Sequence, residues 1–572
     1  MKSFVILHKE FLIGLILTVS LFWPLFWAPF FKHHDDVQII RLYEMDKCIK
    51  DGQIPCRWVP DLGGLYGYPI FNFYAPLPYY FGELIYLATN NLIFSVKVMF
   101  AFSFIGSYIF MYLFAAKFWG KMGGSLAAIF YSFAPYHALD FYIRGAMGEM
   151  WALMIFPAIL LTLTKLWEKQ TIFNLTLFCL SLTTLITSHN LSTFMFVPVI
   201  IMWTLGYFFA KRSIKFLILF GLAVALSIFL SSFYLFPMIL EKNLVHVDST
   251  TFGYFGYTEH FKGLGELLIR RDWGYGSSIR EIPGAEKEKI SFQIGWVHLL
   301  GWVLSLFVAF KLWKKEKKIP VLIIAASFII AFSIFMVHPR SAVLWKSLDG
   351  VIRYLQFPWR FLLLIIFFTS FLSGSFYLIF KNKKRQLTTY CLLIALVVAL
   401  NFTYFRPEEF INVTDGDLLT GERWDKQIKR SILDYLPIYA KEPPAELASA
   451  PYQILVGDTE IKNFDKGTNW ISFEAKTKNH TIIRLSQYYF PDWKIFIDGE
   501  QVPPDYKSNN LGLMTIILGQ GDHKVEARLF NTPIRVISNF ITVVALLITV
   551  ILFLSQIKSV KQWIVYYRKR VN

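Results

Sequence analysis

Two acids, Asp35 and Asp36, stand side by side just after the first apolar stretch of this 572-residue chain. A carboxylate held at a partly desolvated boundary can take the proton from a hydroxyl as a general base. The competing reading is a helix cap for the amphipathic stretch from Val37 to Lys50, because Asp accepts backbone N–H bonds well. Arg144, Arg353 and Arg360 lie near the ends of other apolar stretches, and guanidinium forks bind phosphate oxygens at two points. A snorkelling anchor at the membrane interface is equally open for Arg360. Glu149 follows Arg144 closely enough to pair with it. His137, His189, Tyr74, Tyr79 and Trp359 complete the set as candidate pocket or acceptor contacts, the two histidines being read first as satisfied interfacial residues. His33 and His34 are neighbours in one segment, unlike the fixed helical spacings of metal sites. No metal ligands are assigned, and a divalent ion has no support from this pattern.

These residues must be positioned by a greasy chain. With 55% hydrophobic, 18% aromatic and only 17% charged residues, and a mean hydropathy of +0.46, it reads as a polytopic α-helical membrane protein. Twelve apolar stretches are expected to span, near 10–30, 92–114, 122–138, 146–165, 171–188, 190–210, 216–237, 292–310, 320–337, 359–380, 387–405 and 537–556. The first lacks a small-residue cleavage site and is read as a retained span. Residues 76–90 are short, Pro-rich and carry Glu83, which suggests an interfacial or re-entrant segment.

Charge tests the topology. With both termini cytoplasmic, seven short segments on that side hold 23 of the 57 Lys and Arg and three of the 40 acids. The rest of the chain carries 34 bases and 37 acids, so the whole excess of +17 lies on one side. That is the asymmetry that orients plasma-membrane proteins. It removes the reason to infer nucleic-acid binding, and counting 76–90 as a span would invert it. The middle of every expected span lacks Asp, Glu, Lys and Arg, which argues against ion-coupled transport.

The division expected is a transmembrane body over 1–405 with external loops 31–91, 139–149 and 238–291. An external β-rich domain over 406–536, a final span over 537–556 and a basic tail over 557–572 follow. Alternating runs such as Trp470 to Ala475, Thr481 to Ser486, Trp493 to Ile497 and Lys524 to Phe530, with an Asp498-Gly499 turn, suggest a small sandwich. Loop 238–291 is long enough to close over a site, or to be a passive surface loop. Cys48 and Cys56 share the first loop and would pair if it faces an oxidising compartment.

The acidic pair, the stretches GYPIFNFYAPLPYY (67–80), RGAMGE (144–149) and QFPWR (356–360), and YFPDWKIFIDG (489–499) carry a resemblance. The chain resembles the GT-C superfamily of membrane glycosyltransferases, and more closely the bacterial membrane proteins called 6-pyruvoyl-tetrahydropterin synthase-related and their YfhO-type cousins. Pterin synthesis of the named type needs a three-histidine zinc site, which this sequence does not supply. The GT-C resemblance implies transfer of a sugar from a polyprenyl-phosphate donor in the bilayer to a glycan, lipid or protein acceptor outside. In that scheme Asp35 or Asp36 is the base, and Arg144, Arg360 and Arg353 with Glu149 are assigned by position to the departing phosphate. Two other classes remain: a non-catalytic scaffold or glycan-binding protein of the same architecture, and a lipid or glycan flippase.

Overall fold

The computed structural model describes residues 9–27, 30–279, 289–380, 382–430 and 435–571. The expected basic segment 1–10 and part of loop 238–291 therefore fall partly outside the described residues, as do Lys381 and the side chains of the tail. Each stretch expected to span contains helix among the described residues, although several are only partly helical. Among the described residues seven helices are long and apolar enough to cross a membrane, or eight if Ile214–Leu230 and Ser232–Leu240, bent by 75°, count together. Ile172–Ser188 and Trp296–Leu312 are 17 residues each, and the first stretch is a 12-residue helix, Lys9–Ser20, followed by the short Pro24–Trp27.

The stretch 92–114 and most of 122–138 lie in one helical run, Leu92–Ser132, broken at Gly120 (φ 71°, ψ 178°) and followed by the short helix Pro135–Ala138. A Cβ on Gly124 would lie 2.7 Å from that of Ala116, eight residues earlier. A straight helix would hold those positions about 12 Å apart, so the chain reverses at Gly120 into two packed limbs. The second of these limbs, buried throughout from Gly123 to Ser132, with Met147–Glu168 and the Leu362–Ser373 helix forms the buried centre of the body.

Residues 76–90 form the helix Leu77–Thr89, which begins with Pro78 in its first turn and ends at Asn90 in the left-handed conformation. Its 13 residues rise about 20 Å, short of the hydrocarbon thickness. Glu83 on this helix is 2% exposed and neither carboxylate oxygen has a hydrogen-bond partner among the described residues. Burial, with the nearby Asp46, pushes it up to about 7. The folded protein thus binds a proton at Glu83 that the unfolded chain has released, and stability falls as pH rises from about 4.5 through 7. Glu83→Gln is expected to unfold at a higher temperature than the parent at pH 8 and at an equal one near pH 4. Equal melting temperatures at both pH values would contradict this.

The β-rich domain is a sandwich of two antiparallel sheets. One orders Thr459–Lys466, Trp470–Thr477, Gly521–Leu529, Trp493–Ile497 and Glu500–Val502, and the other orders Tyr452–Val456, Thr481–Tyr488 and Leu513–Leu518. Alternation puts Ile471, Phe473 and Ala475 inside. Asp498 and Gly499 both have positive φ, which is what a tight hairpin of this kind requires. The sandwich begins later than expected, and residues 406–430 belong with the helical body. Phe410–Ile411 pairs with Phe30–Phe31, and the Asp415 carboxylate accepts from Leu92 N and Ile93 N at 2.6 and 3.0 Å, capping a body helix.

The first loop is the bed on which the sandwich rests. Trp58 and Phe73 enter the sandwich core, and Asp51 accepts from Thr468 N, Thr468 Oγ1 and Trp470 Nε1 at 2.6, 2.7 and 3.0 Å. Cys48 and Cys56 are disulfide-bonded within this bed. A buried network joins three further segments: Asn72 donates to Glu241 at 2.9 Å, as does Arg535 at the start of the last helix.

Candidate active site

The first loop is stitched to the 139–149 turn. His34 N donates to Ile143 O at 2.8 Å, Asp35 N to Arg144 O at 2.9 Å, and Gln38 Nε2 to Gly145 O at 2.8 Å. Gly145 (φ +66°) has no room for a side chain, since a Cβ would meet His33 Cβ at 2.7 Å. This close approach sets Asp35 beside Arg144, although about a hundred residues separate them in sequence. Neither acid caps the following helix. Gln38–Lys50 has Val37 at its cap position with no side-chain hydrogen bond, so the capping reading is set aside.

A cavity of about 610 Å³ opens at this junction, in the range of small-molecule sites. His34, Asp35, Arg41, Tyr74, Arg144 and Glu149 line it, with His189, Lys242, Tyr254, Trp359 and Arg360. Six of the expected pocket and phosphate residues, Tyr74, Arg144, Glu149, His189, Trp359 and Arg360, line the same cavity as Asp35. Asp36 does not line the cavity. His137 is buried against Phe104, ring centroids 4.6 Å apart, and donates from Nδ1 to Tyr131 O at 3.1 Å. Tyr79 is buried behind the wall, donating to Gln38 at 2.5 Å. Arg353 is on the surface, 3.6 Å from Asp248. Those three stand outside the lining.

Arg144 and Arg360 differ from their expected role. Glu149 accepts two bonds from Arg144, both at 2.8 Å, one from Arg360 at 3.0 Å and one from Tyr136 at 3.1 Å. Asp140, which the sequence reading did not single out, also binds Arg144. Arg360 further donates to Leu355 O at 2.6 Å and to Gln356 Oε1 at 2.9 Å. Two guanidinium groups are matched by two carboxylates, so this cluster is a neutral wall. The Asp140–Arg144 spacing of four was a readable signal for the pair.

Arg41 is the cation left over. Its guanidinium stacks 4.2 Å over the Tyr74 ring and donates to Tyr79 Oη at 3.4 Å, and no carboxylate lies within ion-pair distance among the described residues. Burial alone would lower it, but Tyr74, Tyr79 and Asp35 raise it above its ordinary value and keep it charged. Lys242 is likewise free of ion pairs among the described residues and lies near the Tyr354 ring, 5.7 Å from its centre. Nothing in the sequence marked Arg41, because which face of Gln38–Lys50 meets the cavity is decided by tertiary packing.

The roof comes from the 238–291 loop, whose Lys242, Thr250, Tyr254 and Ser278 line the cavity. Gln356 Nε2 donates to Thr250 O at 2.9 Å. Gln356 sits at φ +61°, a region costly for a side-chain-bearing residue. Its amide thus bridges the roof and Arg360. Phe194, Ile239 and Val351, at 43, 49 and 59% exposure, give the cavity an apolar rim.

A family model described as 6-pyruvoyl-tetrahydropterin synthase related domain, membrane protein, matches residues 71–404. The chain belongs to this family. The matched residues hold the whole Arg144–Glu149–Arg360 cluster and the roof, whereas Asp35 and Arg41 precede them. Among the described residues no group of three or more His, Cys, Asp or Glu side chains could hold a metal ion. A curated relative, an uncharacterised protein of Lactococcus lactis subsp. cremoris (strain MG1363), is 24% identical over 280 residues, 46% of each chain. The family member described here therefore spans about half the length of that relative. Among solved structures it is similar to the arabinofuranosyltransferase AftD from Mycobacteria, with a TM-score of 0.40, 13% identity, and 71% of this chain and 28% of that one covered. It is also similar to the Archaeoglobus fulgidus oligosaccharyltransferase, with a TM-score of 0.43, 14% identity, and coverage of 78% and 60%.

Proposed function

We propose that this protein transfers a sugar from a polyprenyl-phosphate donor to a hydroxyl acceptor on the extracytoplasmic side of the plasma membrane. The observation that carries the reading is one cavity lined by the Asp35 carboxylate and by two cations, Arg41 and Lys242, that have no ion pair among the described residues, beside an apolar rim. Such a site suits a substrate with a lipid tail, an anionic head and a reacting hydroxyl. Asp35 takes the acceptor proton, and the acceptor oxygen forms a bond to the anomeric carbon. The bond from that carbon to the phosphate oxygen breaks with its electron pair, and the polyprenyl phosphate departs. Arg41, held by the Tyr74 face, and Lys242 stabilise the charge gained on that oxygen. The Glu149 cluster fixes the wall that presents Asp35. The Cys48–Cys56 bond accords with an oxidising compartment, as the charge asymmetry of the sequence does.

Membranes carrying the protein, supplied with radiolabelled polyprenyl-phosphate sugars, are expected to form a labelled glycoside. Label that crosses the bilayer without a new glycosidic bond would instead support translocation, and no change in either would support a scaffold. Within this reading Arg41→Met is expected to lower kcat/KM for the donor by about 10- to 100-fold, the scale of one charge-assisted phosphate contact, while the thermal unfolding temperature stays within a degree or two. An unchanged kcat/KM would remove Arg41 from the phosphate site.

A further inference from the structure

The helix Gln38–Lys50 also reaches a second cavity, of about 630 Å³, where its C-terminal end meets the sandwich. Lys47, Lys50, Asp51, Asp61 and Lys466 are the charged side chains of its lining. Four of the five are already engaged. Lys47 pairs with Asp61, Lys50 with Asp46 at 2.9 Å, and Asp51 is saturated by Thr468 and Trp470 of the sandwich. Gly467 lets this contact form, since a Cβ there would lie 2.5 Å from Asp51 Oδ2. The cavity is therefore built and held from both sides. Its fifth charge, the Lys466 ammonium, has no hydrogen bond or ion pair among the described residues. Burial lowers Lys466 to about 8 against the opposing pull of Asp61 and Glu44, so it remains mostly protonated at neutral pH. Ser449 and Ser486 place hydroxyls along the same lining, that of Ser486 already donating to Ala450 O at 2.6 Å and so left to accept.

We propose that this second cavity is a binding subsite for an anionic group, a carboxylate or phosphodiester carried on a hydroxylated chain, with Lys466 as its counter-charge. Arg41 lines the first cavity and Lys47 the second, six residues and about 9 Å of helix rise apart. Asp35 lies twelve residues before Lys47, about 18 Å of helix rise, so a chain several units long seated at Lys466 could reach towards it. Calling the ligand an acceptor rests on the transferase reading; the binding itself does not.

The test uses the full chain in detergent and measures binding of four probes: an oligogalacturonate, a glycerol-phosphate oligomer, inorganic phosphate and a neutral malto-oligosaccharide. One anionic oligomer is expected to bind at least tenfold more tightly than the neutral one and than inorganic phosphate, and which oligomer binds separates uronate from phosphodiester. Lys466→Met is expected to weaken that binding at least tenfold, and Lys466→Arg to retain it. Asp35→Asn should bind the oligomer like the parent, so that a failure of transfer chemistry is distinguishable from a failure of this site. Equal affinity for the neutral oligomer, phosphate binding as tight as either oligomer, or an unchanged Lys466→Met would overturn the proposal.

Discussion

Asp35→Asn is expected to lower the rate of sugar transfer by about 10² to 10⁴, the contribution typical of a positioned general base, while donor binding and thermal stability stay near those of the parent. Asn keeps the size of the side chain and removes only its capacity to accept a proton as a carboxylate. The backbone N–H of Asp35 holds the loop to Arg144 O and is untouched by the change. Asp36→Asn, one residue away but outside the lining, is the internal control and is expected to change the rate less than threefold. An inverted result, with Asp36 essential and Asp35 dispensable, would move the base out of this cavity. Separation of kcat from KM identifies the role, since a base lost from the reacting step lowers kcat with little effect on KM.

Glu149→Gln is expected to destabilise the protein by about 3 to 5 kcal/mol, the usual cost of removing one partner from a buried ion pair. Arg144 and Arg360 are each 7% exposed and Glu149 is 2% exposed, so solvent cannot replace the lost charge. The neutral amide can accept fewer of the four bonds that now converge on the carboxylate. Arg144 would retain Asp140, whereas Arg360 would keep only neutral acceptors, Leu355 O and Gln356. A cycle with Arg360→Met checks the cause. The double variant is expected to be more stable than the sum of the two single losses implies, because the second change removes the stranded cation. Thermal unfolding in detergent reads both effects, and a loss below about 1 kcal/mol for Glu149→Gln would show that the cluster is not the wall's support.

Much of the architecture was legible because its causes are local. Apolar runs located the helices, period-two alternation at Trp470 to Ala475 located a sandwich strand, and a shortage of length kept Leu77–Thr89 out of the set of spans. The reversal at Gly120 was legible only as a gap between two apolar stretches. The site was legible in membership more than in roles. Asp35, Arg144, Glu149 and Arg360 do meet; Glu149 and Asp140 lay close enough in sequence to be read as partners of Arg144, whereas the Arg360–Glu149 pair is made only by tertiary packing. Arg41 was missed for the opposite reason: it matters because it lacks a carboxylate partner, and no sequence displays an absence of contact. The start of the sandwich was misplaced because the 406–430 segment is held by side-chain caps and a two-residue strand, signals too short to read before folding.

The most direct measurement is a cryo-EM structure of the protein with a polyprenyl phosphate bound. The expected result is phosphate density in the cavity, within about 3 Å of the Arg41 guanidinium, with the lipid chain leaving over Phe194 and Ile239 and the Asp35 carboxylate facing the space beside the phosphate. Phosphate bound elsewhere, with Arg41 and Asp35 facing an empty cavity, would contradict a transferase centred on these two residues.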